Sequence, residues 1–215
     1  KEFKPRAGSS PIIRFFLGIF AMIGALVFLG CPWRAYIRLS AGDLNAIPGI
    51  LGLTLGIVIG IYFLWTGFNL GRSYKARTPM GMIMPALAIV LLSLLIMAPT
   101  FGPDGTGPIF FSESGPGSQH APIVIALGVG LLVGWFAQRS RFCTVGAIRD
   151  LVMLRDGHLF KGVLAFIVMA FITNILLGQF KPGMAGQPIA HTNILWNFMG
   201  MVLSGLAFTL AGGCP

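Results

Sequence analysis

The chain has 215 residues, of which 55% are hydrophobic and only 10% are charged, and its mean hydropathy is +0.85. Soluble domains carry about 25% charged residues, so this composition excludes a water-soluble protein and predicts an integral membrane protein. The formal net charge is +9. It does not indicate a nucleic-acid partner, because the basic residues lie between apolar runs rather than along one face.

Six apolar stretches are long enough to cross a bilayer as helices, which takes about 20 residues each. They lie at 12–30, 46–70, 80–98, 121–138, 162–180 and 192–212. Runs of this length without alternation are helical in a membrane, so we expect an all-α, polytopic helical bundle surrounded by lipid.

The long connection at 99–120 contains no Lys or Arg and is rich in Gly, Pro and Ser. It predicts an outer linker between a first membrane half, 1–98, and a second membrane half, 121–215. The chain does not begin with Met and stops directly after an apolar run, which predicts missing sequence at one or both ends, the C-terminus above all.

The distribution of basic residues predicts the orientation. A cytoplasmic N-terminus puts twelve Lys and Arg residues on the inner side and only Arg34, Arg38 and Lys181 on the outer side. This bias agrees with the positive-inside rule. Arg14, near the start of the first span, is expected to extend to the membrane interface.

The first and last apolar segments resemble each other. Residues 16–32 and 198–215 both begin with Phe, an apolar residue and Gly, and both end in Gly-Cys-Pro, at Cys31 and Cys214. In the expected orientation the two segments approach their cysteines from opposite sides of the membrane. This arrangement is typical of inverted-topology repeats, and we predict a pseudo-twofold inverted repeat.

The third cysteine, Cys143, lies in a stretch, 138–162, that is too polar to span and too apolar for an ordinary loop. Arginines accompany two of the cysteines: Arg34 and Arg38 follow Cys31, and Arg141 and Arg149 flank Cys143. Irregular backbone at membrane depth is tolerated where it is buried or lines a cavity. We therefore expect short re-entrant or broken helices at the cysteine motifs.

Broken helices direct their positive N-terminal ends toward such a cavity, which suits an anion. A thiol is a weak donor and a soft, polarisable acceptor, so it suits a sulfur- or selenium-bearing anion. The pattern predicts that Cys31, Cys143 and Cys214 pass such an anion along by transient S–H hydrogen bonds. We expect Arg34, Arg38, Arg141 and Arg149 either to attract the anion or to pair with Asp43 or Asp150. A thiolate or persulfide mechanism stays open.

The motifs "GCPWRAYIRLSAGD", "RSRFCTVGAIRD" and "AGGCP" resemble the YeeE/YedE family of membrane transporters for sulfur compounds, closest to its branch described as selenium transporters. The resemblance implies a prokaryotic inner-membrane bundle with short re-entrant helices and a narrow central path. It further implies that cysteines line the path and relay thiosulfate inward, and that a TusA-like sulfur carrier collects the substrate in the cytoplasm. The choice between thiosulfate and a selenium species stays open.

We expect no enzyme, no catalytic residue, no cofactor and no metal site. No histidine stands near a cysteine in sequence to act as a base, and His120, His158 and His191 have no ligand spacing. Two other functions stay open. One is a membrane-bound sulfur or selenium transferase that carries a cysteine persulfide, and the other is a non-transporting membrane scaffold with structural cysteines.

Glycines spaced four residues apart occur in two of the spans, at Gly52, Gly56 and Gly60 and at Gly130 and Gly134. Such rows let helix backbones approach closely, and we expect tight helix packing there. Asn174, inside a span, is expected to form a helix–helix hydrogen bond, and the tryptophans near span ends are expected to anchor the protein at the interface.

Overall fold

The computed structural model describes residues 6–7, 10–72, 74–75, 79, 82–97 and 122–212. In chain order the helices are α1 (Pro11–Phe28), α2 (Pro32–Ser40), α3 (Ala46–Trp65), α4 (Ile83–Met97), α5 (Ile123–Ser140), α6 (Thr144–Met153), α7 (His158–Leu176) and α8 (Ile194–Ala211). The described strands, β1 (Arg6–Ala7) and β2 (Tyr74–Lys75), form a short antiparallel pair with Arg6 opposite Lys75. Apart from this pair of two-residue strands, the regular elements of the described residues are helices, which confirms the predicted all-α membrane architecture.

The chain divides into two compact units. One comprises residues 1–11 and 70–120 and contains the strand pair and α4. The other comprises residues 12–69 and 121–215 and carries the remaining helices together with Cys31 and Cys143. The membrane halves at 1–98 and 121–215, joined by a linker at 99–120, stay a prediction, and the linker lies outside the described residues.

Within the described residues, five helical segments are long and apolar enough to cross a membrane: Pro11–Ser40, Ala46–Trp65, Ile123–Met153, His158–Leu176 and Ile194–Ala211. They correspond to five of the six predicted stretches. The remaining stretch, 80–98, contains α4, whose 15 residues extend about 22 Å at 1.5 Å per residue, less than the roughly 30 Å of a hydrocarbon core.

The glycine row of α3 lies against the backbone of α8. A Cβ on Gly52 would collide with the carbonyl oxygen of Phe198, and a Cβ on Gly56 would collide with that of Val202. Only residues without a side chain let two helix backbones come this close. The predicted packing role of this row is confirmed, whereas a Cβ on Gly130 or Gly134 of α5 would have no neighbour within 4 Å among the described residues.

The contacts also show the directions of the central helices. Along α1, Arg14 contacts Ala211, Ala21 contacts Ser204 and Gly24 contacts Gly200, so α1 and α8 are antiparallel. Between α3 and α8, Gly52 lies against Phe198, Gly56 against Val202 and Gly60 against Thr209. The residue numbers rise together on both helices, so α3 and α8 are parallel.

A hydrogen bond between helices ties α7 to the end of α2. The amide nitrogen Nδ2 of Asn174 donates to Oγ of Ser40 at 3.4 Å. This contact agrees with the expected helix–helix role of Asn174.

Candidate functional site

Two cysteines occupy the same local position in the fold. Cys31 is the N-cap residue of α2 and Cys143 is the N-cap residue of α6, and both have an extended backbone. The short helices, of 9 and 10 residues, begin directly after them. Each cysteine therefore stands at the positive end of a helix, beside backbone N–H groups that have no partner within the helix. The predicted helix breaks at these two motifs are confirmed.

The two thiols differ in their surroundings. The Sγ of Cys143 accepts a hydrogen bond from the backbone N–H of Gly146 at 3.2 Å, and the residue is half-buried. Cys31 is exposed, and its side chain makes no capping hydrogen bond to the described backbone. Pro32 stands at the first position of α2, where its missing N–H leaves no unsatisfied donor.

A cavity of about 180 Å³ opens at Cys143. It is lined by Arg141, Cys143, Val145, Gly146, Arg149, Asp150, Leu159, Phe208, Thr209 and Gly212. Nε and Nη2 of Arg149 both donate to Oδ1 of Asp150 at 3.0 Å. Arg149 therefore lines the cavity and forms the ion pair that the sequence left as an alternative.

The arginines that follow Cys31 lie in two different environments. The stem of Arg34 packs over Gly30, where an added Cβ would lie 2.7 Å from Cδ of Arg34, so this half-buried side chain stays beside the cysteine. Arg38 is buried, and its Nε donates to Oδ2 of Asp43 at 2.6 Å. Pairing with Asp43 is thus the arrangement that the structure shows for Arg38, and anion binding by Arg38 stays a prediction.

Aromatic rings connect the two cysteine segments. Trp33, two residues after Cys31, stacks edge-on against Phe142 with ring centroids 5.1 Å apart, and Phe142 directly precedes Cys143. Phe166 of α7 completes the cluster, 5.7 Å from Trp33 and 6.0 Å from Phe142. Trp33, a tryptophan near a span end, is predicted from the sequence to be an interfacial anchor, and that prediction does not include this contact. The available signal was an aromatic residue close to each of these cysteines.

The third predicted cysteine, Cys214, lies outside the described residues. The last described residue before it, Gly212, lines the cavity at Cys143. Within the described part of the chain, no three His, Cys, Asp or Glu side chains come together in a way that could hold a metal ion.

Comparison with known proteins gives partial matches. Residues 139–215, which contain Cys143, Arg141 and Arg149, match the family described as sulphur transport. The chain is 35% identical over 86 residues to the thiosulfate transporter TsuA of Spirochaeta thermophila, covering 40% of this chain and 26% of that protein. It is 30% identical over 92 residues to TsuA of Escherichia coli, covering 43% of this chain and 26% of that protein.

The matched segment thus spans about a quarter of the length of each of these two relatives. No solved structure matches the chain. The matched family is a transport family, in agreement with the expectation that the protein is not an enzyme. Residues 139–215 are thus similar to the sulphur transport family and to two proteins named thiosulfate transporters, in agreement with the resemblance that the cysteine motifs carry.

Proposed function

We propose that the protein is a permease for a small sulfur-bearing anion, with thiosulfate as the leading substrate. One observation carries the proposal: a cysteine at the N-terminus of a short helix opens into a cavity that two arginines line. The names of the two relatives, both thiosulfate transporters, support the choice of anion.

The chemistry of the cavity fits such an anion. Its volume of about 180 Å³ is several times the roughly 30 Å³ share of one liquid water, so an anion of the size of thiosulfate has room. The guanidinium groups of Arg141 and Arg149 outnumber the one carboxylate in the wall, that of Asp150, and together with the positive end of α6 they favour negative charge. The Cys143 thiol offers a weak S–H donor to a soft sulfur atom.

The same elements suggest a route. Cys31 and Cys143 stand at equivalent helix starts, and the Trp33–Phe142 contact links their segments. The cavity at Cys143 extends to Gly212, two residues before Cys214 in the sequence. We infer that the anion passes Cys31, Cys143 and Cys214 in turn by short-lived hydrogen bonds, without a stable covalent step.

Several finer features belong to the proposal. We infer an inner-membrane location with a cytoplasmic N-terminus, because twelve of the fifteen basic residues then belong to inner segments. Import as the direction of transport rests on the family resemblance. A selenium species is an alternative substrate, since a polarisable thiol suits both anions. A TusA-like cytoplasmic acceptor rests on the family resemblance alone.

Growth on defined sulfur sources tests the function. A host that lacks its own sulfate and thiosulfate uptake systems should grow on thiosulfate as the only sulfur source when it expresses the protein. Cells with the empty vector should not grow. Growth on cysteine alone, with no growth on thiosulfate at normal membrane levels of the protein, would contradict thiosulfate import. Parallel assays of selenium accumulation test the alternative substrate.

Arg149→Gln tests the electrostatics of the cavity. We expect the apparent KM for thiosulfate to rise about ten-fold, because a hydrogen bond to a charged group contributes roughly 1.5–3 kcal/mol. Arg139→Gln is the matched control, since Arg139 is exposed and does not line the cavity. Equal KM values for the wild type and Arg149→Gln in uptake kinetics would show that Arg149 does not bind the anion.

A further inference from the structure

The end of α1, directly before Cys31, has an unusual backbone. Leu29 has a positive φ of 60°, a conformation that residues with a Cβ disfavour. The N–H of Gly30 donates to the carbonyl of Ala25 at 2.9 Å, and the N–H of Leu29 donates to that of Leu26 at 3.0 Å. This is the pattern of a Schellman motif, here with leucine where glycine is usual. A disfavoured conformation persists only when surrounding contacts hold it.

Two side chains from elsewhere in the fold hold the last carbonyls of α1. Nε2 of His191 lies 2.7 Å from the carbonyl oxygen of Val27, and because a carbonyl only accepts, Nε2 is the donor. Nη1 of Arg38 donates to the carbonyl of Phe28 at 3.0 Å. The two helix-end carbonyls that the Schellman motif leaves free therefore both receive donors.

Arg38 is itself rigidly placed. Its guanidinium carbon lies 4.4 Å above the centre of the Phe28 ring, and Nε donates to buried Asp43. Oδ1 of Asp43 in turn accepts from the backbone N–H and from Nδ2 of Asn45, both at 2.9 Å. Arg38 thus bridges the end of α1 to the α2–α3 connection through a buried polar network.

One element of this arrangement, an arginine bonded to a helix-end carbonyl, occurs also at the end of α8. Gly212, like Leu29, has a positive φ, here 93°. Nη1 of Arg14 donates to the carbonyl of Ala211 at 2.8 Å. In the two matching Gly-Cys-Pro sequences, Phe28 and Ala211 both stand three residues before the cysteine. Each of these equivalent carbonyls therefore accepts a hydrogen bond from an arginine.

We propose that Arg38 and His191 are positioning residues that hold the bend before Cys31. A role of this bend in transport rests on the proposed relay through Cys31. The bend itself can be tested without any transport measurement.

The test is the mobility of a nitroxide spin label on Cys31, in protein whose other two cysteines are changed to serine. In His191→Leu the mobile component of the spectrum should rise about five-fold, the population change that corresponds to losing one typical hydrogen bond. His191→Gln, which keeps an N–H donor, should restore the immobile spectrum. Arg38→Lys keeps a cation for Asp43, but its single ammonium cannot also reach the carbonyl of Phe28. The mobility of the label on Cys31 should therefore rise in this variant as well.

Two controls separate positioning from general loss of structure. His158→Leu makes the same substitution at an exposed histidine of α7 and should leave the Cys31 spectrum unchanged. A label on Cys143, in protein with Cys31→Ser and Cys214→Ser, should not respond to His191→Leu. Unchanged mobility at Cys31 in both His191→Leu and Arg38→Lys, or an equal rise at Cys143, would overturn the proposal. Normal thiosulfate uptake by a Cys31→Ser variant would instead refute the relay and leave the positioning role intact.

Discussion

Thiosulfate uptake should fall at least about ten-fold when Cys143 is replaced by serine, while the protein still folds and reaches the membrane. Serine is a preferred N-cap residue, so it can replace Sγ as the acceptor for the N–H of Gly146 at the start of α6. It lacks the polarisable sulfur that suits the soft end of the anion. The substitution therefore removes the thiol chemistry and keeps the local structure. Uptake of radiolabelled thiosulfate by whole cells, normalised to membrane protein, measures the effect.

Cys143→Ala separates the two roles of this residue. Alanine removes both the thiol and the cap, so uptake should fall as in Cys143→Ser. The melting temperature should also fall, since losing an N-cap costs about 0.5–2 kcal/mol. Ser140→Ala is the matched control, because the Ser140 hydroxyl bonds within its own helix, to Phe136 at 2.8 Å. Wild-type uptake by Cys143→Ser at normal membrane levels would show that a thiol is not needed at this position.

Gly56→Ala should destabilise the protein by about 1–3 kcal/mol or more, the usual cost of overpacking. The added Cβ collides with the carbonyl oxygen of Val202 and would lie 2.9 Å from the backbone nitrogen of Leu206. Both neighbours are backbone atoms of α8, so relief requires the two helices to separate. The loss should appear as a lower melting temperature and a smaller monodisperse fraction after extraction in detergent.

Gly130→Ala is the matched control for this prediction. It places the same methyl group on α5, where a Cβ would have no described neighbour within 4 Å. Alanine is favoured over glycine inside a helix by roughly 0.5–1 kcal/mol, so the variant should be as stable as the wild type or slightly more stable. Equal melting temperatures for Gly56→Ala and Gly130→Ala would contradict the close α3–α8 packing.

Much of the architecture could be predicted from local sequence. Crossing a bilayer requires long apolar runs, and such runs are visible without any knowledge of their partners. The breaks before α2 and α6 could also be predicted, because polar, arginine-bearing stretches directly follow Cys31 and Cys143. The glycine row of α3 was recognisable for the same reason, since its spacing repeats along one helix face.

The sequence left open which arginines form ion pairs and which lie free of Asp43 and Asp150. Arg34 and Arg38 are alike in sequence, yet Arg34 packs on Gly30 beside the cysteine and Arg38 turns to a buried Asp43. His191 has no ligand spacing in the sequence, yet its ring bonds to the carbonyl oxygen of Val27, 164 positions earlier in the chain. Nothing in the residues around His191 specifies such a distant acceptor.

The amino-acid sequence by itself therefore determined the class of protein, the places where its helices break and the thiols that stand at those breaks. These features follow from hydrophobicity and backbone propensity, which act over a few neighbouring residues. Only the tertiary structure decided which arginines line the cavity at Cys143, which of them brace a helix end, and that Trp33 meets Phe142. Those contacts depend on how helices that are distant in the chain pack together, because hydrogen bonds and ring contacts require atoms to lie within a few ångströms of each other.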